Sequence, residues 1–74
     1  MNLEINKRYL LKPSGIEELK DLITLQITNK AIRFYDASTG SFIWLSRATL
    51  SSYYTVIDEL GEVDIDSLLN GDNK

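Results

Sequence analysis

Residues Ala31 to Leu45, AIRFYDASTGSFIWL, spell out a β-hairpin: AIRFY, a turn around DASTG, then SFIWL. Successive side chains of a strand point to opposite faces, so Ile32 and Phe34 share one face and Ala31, Arg33 and Tyr35 the other. On the return arm Phe42 and Trp44 fall on one face, Ile43 and Leu45 on its opposite. Gly40 accommodates a positive φ, and the Asp36 carboxylate can accept hydrogen bonds from neighbouring backbone N–H groups. Both faces of the hairpin are thus substantially apolar, which a sheet with one solvated side does not require. Cover on both sides, curling toward a barrel, or a partner on one side would each account for it.

The rest of the chain must supply that cover. With 74 residues it has material for one domain. Chains of this size bury only about 60% of their extended surface, so several aromatic residues are expected inside. Upstream, Leu3, Ile5, Tyr9 and Leu11 alternate with Glu4, Asn6, Arg8 and Lys12, a half-buried strand ended by Pro13 and Gly15. Lys7 interrupts its apolar side. Ser14 and Glu17 stand at capping-box spacing, and Ile16, Leu19, Leu22 and Ile23 follow with helical spacing. These predict a short helix over residues 15–22, against the competing expectation of a long loop running into a strand. A strand over residues 23–28 and an Asn29-Lys30 connection lead into the hairpin.

Downstream, Ser46 and Thr49 are candidate helix N-caps. Leu50, Tyr53, Tyr54, Ile57 and Leu60 recur at helical spacing and Gly61 follows, predicting a helix over residues 50–60. Against it stand the β-branched Thr55, Val56 and Ile57, and Asp58 and Glu59 at the unfavourable end of a helix dipole. Val63, Ile65, Leu68 and Leu69 suggest one further helical turn, capped by Asp64 or Asp66. The expected architecture is a single α+β domain over residues 1–70, ordered β-α-β-β-β-α, with a frayed tail at 71–74. Its antiparallel meander runs from Ile23 to Leu45. Short strands rich in aromatics give a fold-level similarity to SH3-like small β-barrels, the alternative architecture.

Composition narrows the chemistry. The chain has no cysteine and no histidine, which removes disulfides, thiolate catalysis, His-based triads and the commonest metal ligand. No apolar run approaches a transmembrane length and the N-terminus lacks a signal-peptide core, so the expectation is a cytoplasmic protein with no membrane partner. Net charge is −3, divided as +2 over residues 1–47 and −5 over residues 48–74. Asp58, Glu59, Glu62, Asp64 and Asp66 have oxygen ligands suited to a hard cation but not the spacing of a calcium loop. They read first as a solvated acidic surface and second as a docking surface for a basic partner. Asp36 beside Ser38 and Thr39 reads as turn capping, because no activated nucleophile accompanies it. Glu17 and Glu18 do not face each other. No metal, cofactor or enzymatic activity is expected.

The favoured function is a small protein-interaction module, a regulator or inhibitor acting through a surface. Its candidate contacts are Arg33, Tyr35, Trp44, Arg47, Tyr53 and Tyr54, residue types suited to interface anchors and directional hydrogen bonds. Tyr53 and Tyr54 differ by about 100° around a helix, so one should pack inward and the other face a partner. A homodimer, up to a homo-oligomeric structural protein, is expected as one form of such contact. The alternative is nucleic-acid binding by Lys7, Arg8, Lys12, Lys30, Arg33 and Arg47, with Tyr35, Phe42 and Trp44 stacking on bases.

Overall fold

A computed structural model describes residues 3–64 of the chain. The strands are β1 (Lys7–Pro13), β2 (Lys20–Ile27), β3 (Ala31–Asp36), β4 (Ser41–Ser46) and β5 (Tyr54–Glu62). One short helix, α1 (Arg47–Tyr53), joins β4 to β5. The strands form one antiparallel sheet in the order β4-β3-β2-β1-β5. The meander expected from residue 23 onward is present and extends back to β1. β5 returns to pair on the far side of β1.

The hairpin forms in the register its alternation implies, from Ala31↔Ser46 to Asp36↔Ser41. Asp36 accepts from the Ser38 N–H at 2.9 Å, its carbonyl accepts from the Gly40 N–H at 2.8 Å, and Gly40 has φ +74°. Asn29 and Lys30 form the preceding turn. There the Thr28 hydroxyl accepts from the Ala31 N–H at 3.0 Å and donates to the Ala31 carbonyl at 2.9 Å.

One sheet face carries the core. Tyr9, Leu11, Leu22, Ile32 and Phe34 are buried there with Leu50 of α1. Leu3, Ile27, Ile43, Leu45 and Tyr54 pack around them, part-buried. Tyr9 satisfies its hydroxyl with the Glu4 N–H at 2.9 Å, as a buried phenol requires. The Thr24 hydroxyl, on the same face, is buried without a hydrogen-bond partner.

Three expectations are corrected. The first strand begins only at Lys7: Asn6 adopts φ 65°, the left-handed conformation asparagine tolerates, and Ile5 before it is exposed. The helix over 15–22 does not form, and the loop-into-strand alternative is what the chain adopts. Gly15 turns at φ 78°, the Ser14 N–H donates to the Tyr53 carbonyl at 2.6 Å, and Ile16 and Leu19 remain exposed. Leu22 and Ile23 have helical spacing, but pairing against β1 puts them on opposite faces of a strand, both buried.

The helix over 50–60 survives only as its beginning. Ser46 caps it, its side chain accepting from the Thr49 N–H at 3.0 Å, and Leu50 is its one buried residue. From Tyr54 the β-branched run pairs with β1 instead, and Gly61 lies within β5. The order among the described residues is therefore β-β-β-β-α-β, mostly sheet with a single short helix. The SH3-like alternative also fails in its defining feature, because β4 and β5 end the strand order and no pairing among the described residues closes them. The expected terminal turn and tail lie outside the described residues.

Candidate interaction surface

The opposite face of the β3–β4 hairpin is built by the same alternation. Register places Arg33 across from Trp44 and Tyr35 across from Phe42. Their strand neighbours Phe34, Ile43, Ile32 and Leu45 face the core, so these four side chains face outward. Phe42 and Trp44 remain 48% and 52% exposed, in contrast to the expectation that a domain this small would take such aromatics inside. Tyr9 and Phe34 fill that role instead.

The four side chains form a connected surface. The Tyr35 and Phe42 rings meet edge to face, with centroids 5.3 Å apart and planes at 61°. The Arg33 guanidinium carbon stands 4.9 Å from the Phe42 centroid, a cation–π contact. The Arg33 Nε is buried with no hydrogen-bond partner among the described residues. Beside Tyr35 on the same face, in register on β2, lies Ile23 at 2% exposure.

The remaining candidates are dispersed. Arg47 starts α1 and ties it to the neighbouring turn: its N–H donates to the Lys30 carbonyl at 2.9 Å and its Nη1 to the Thr28 carbonyl at 3.2 Å. Tyr53 is 60% exposed at the end of α1, while Tyr54 opens β5 and packs on the core. One faces inward and one outward, through a helix-to-strand junction and not through angular position on a helix.

Of the six cations proposed for nucleic acid, two are ion-paired among the described residues. The Lys7 ammonium bonds Glu59 at 2.7 Å and stands 3.3 Å from Glu4. Those carboxylates raise its pKa above the ordinary lysine value, the Glu59 hydrogen bond most. Arg8 forks onto Asp21, its Nε 2.8 Å from one carboxylate oxygen and its Nη2 on the other. That hydrogen-bonded pair raises the Arg8 pKa in turn. Lys12 lies across from Thr55 on β1, Lys30 is in an exposed turn, and Arg33 belongs to the aromatic patch.

Phe42 belongs with Arg33, Tyr35 and Trp44 but is absent from the predicted interface set. Its parity with Trp44 was the available signal. Exposed Ile57 and Leu60 on β5 also escaped notice, because a helical reading assigned them to a packed stripe, and Val56 beside them is exposed too. Among the described residues no group of three acids is placed to hold a metal ion, and Asp66 lies outside them. No helix of the described residues is long and apolar enough to cross a membrane. The fold and surface together define a class no finer than a small antiparallel-sheet domain with an outward aromatic–arginine cluster. No protein-family model, curated protein or solved structure matches the chain.

Proposed function

We propose that this domain is a non-enzymatic protein-interaction module, of the regulator or inhibitor kind, and that the outer face of the β3–β4 hairpin is its contact surface. The observation that carries this is the exposure of Phe42 and Trp44 side by side with a packed arginine. Interfaces are enriched in aromatics and arginine, and a few such residues dominate their energetics. Covering the exposed halves of these two rings would remove on the order of 200 Å² of apolar surface, worth about 5 kcal/mol before association costs. Cytoplasmic residence remains part of the proposal, on the strength of the cysteine-free composition.

Affinity capture with identification of both proteins and nucleic acids tests it. The expected result is a stoichiometric protein partner held by the native domain and lost with Trp44→Lys, whose folding is first verified by circular dichroism. Capture indifferent to Trp44→Lys, or capture of nucleic acid alone, overturns it.

A further inference from the structure

The patch borders a strand edge that is open for pairing. β4 is SFIWLS, uncharged along its length, without proline, and paired to β3 with no register shift. Among the described residues nothing is hydrogen-bonded to its other side, because it ends the strand order. Such an edge is a template for an added strand. Arg33 sits one strand inward, on β3, and its guanidinium lies over the Phe42 ring of β4. A strand added to β4 would run about 4.8 Å further out, with alternate side chains rising on the patch face. An acidic side chain on that face would stand on the same side of the sheet as Arg33.

The charge pattern identifies the occupant. Arg33 has no carboxylate or carbonyl partner among the described residues, whereas Lys7 and Arg8 have theirs. A second copy pairing β4 to β4 brings no acid on the added strand, since SFIWLS contains none. Its two half-exposed rings also offer on the order of 200 Å² per copy, against about 800 Å² per partner in a standard interface. A nucleic acid would meet a chain of net charge −3 with two of its cations already neutralised. We infer that the free edge of β4 receives an extended, acid-bearing segment of a partner protein as a sixth strand, with a carboxylate of that segment bound by Arg33 and its apolar flanks lying on Phe42 and Trp44. This rests on the hairpin being the interaction surface, and adds the mode of binding and the chemistry of the partner.

The test is selection from a displayed library of random octapeptides on the full chain, followed by solution binding of the best enriched peptide. Trp44, the chain's one tryptophan, reports binding by its fluorescence. The expected peptides carry Asp or Glu within a β-branched or aromatic run. Replacing that acid by its amide should weaken binding at least about fivefold, Arg33→Gln should do the same, and both together should cost little more than either. Arg33→Lys, which keeps the charge but loses the fork, should retain part of the affinity and stands in should Arg33→Gln unfold. Amide exchange should slow on the outward N–H groups of β4.

Absence of enrichment, enriched peptides without acids, protection on β5 in place of β4, or displacement of the peptide by a single-stranded uridine oligomer would each overturn the inference. So would self-association of the free protein that blocks the peptide. Peptides sensitive to Trp44→Lys but indifferent to Arg33→Gln would leave the interaction surface standing and remove only its acidic specificity. Indifference to both variants would remove the two together.

Discussion

β4 and β5 end the same sheet on opposite sides, yet β4 follows β3 residue for residue while β5 slips twice against β1. Leu11 pairs with Val56 but Leu10 with Asp58, leaving Ile57 unpaired; Tyr9 pairs with Glu59 but Arg8 with Gly61, leaving Leu60 unpaired. β5 also carries Asp58, Glu59 and Glu62, whereas β4 carries no charge. Bulges and charges are established ways of making an edge unfit for further pairing. Both edges expose apolar side chains, so exposure alone does not separate them. The difference lies in the backbone: β5 is broken as a template and β4 is intact.

The largest test of that contrast is at the joint between the edges. Leu50 is the buried residue of α1, which connects β4 to β5, so Leu50→Ala should cost about 2–5 kcal/mol in urea unfolding and loosen both strands. Next is Gly61, at φ +103° in the second slip of β5. A Cβ there meets no atom within 4 Å, so Gly61→Ala should cost about 1–2 kcal/mol through backbone strain alone. Amide exchange should show the loss concentrated in β5, with β4 unaffected.

Trp44→Lys should change stability by less than about 0.5 kcal/mol, because half the ring is already in solvent, while giving β4 the charged guard that β5 has. Lower partner capture at an unchanged thermal midpoint would check it. The smallest effect is expected from Glu59→Gln. It removes an exposed ion pair with Lys7 and should leave the midpoint unmoved, as such pairs contribute little.

What was legible in the sequence follows the range of the information. The β3–β4 hairpin could be read because alternation, Asp36 and Gly40 all act within a few residues, and all agree. The four-residue patch was readable from the same parity, though its exposure was not. Burial depends on which face receives Leu50 and β1, and those lie far away in sequence. The stretch from Leu50 to Leu60 has a real helical period, but Ile57 and Leu60 are spaced by three because each sits in a slip of β5. Local periodicity cannot register that β1 offers a free side to pair with. Residues 15–22 failed likewise: their apolar spacing suits a helix, but β1 rewards a strand from Lys20 onward.

The β1–β5 pairing also sets the order in which the domain can assemble. The four strands from Lys7 to Ser46 are joined by short connections, so each can zip onto its predecessor at small cost in chain entropy. β5 must instead come back to the beginning, as the contact between Lys7 and Glu59 across 52 positions shows. Non-local closure of this kind slows folding more than it limits stability. The native sheet is therefore expected to finish at β5, and until it does β1 is a second unguarded edge. Placing the slips and the acids on the last strand to arrive means that the finishing step also seals that end of the sheet. Among the described strands, β4 is then the edge without a bulge or a charge in the folded domain.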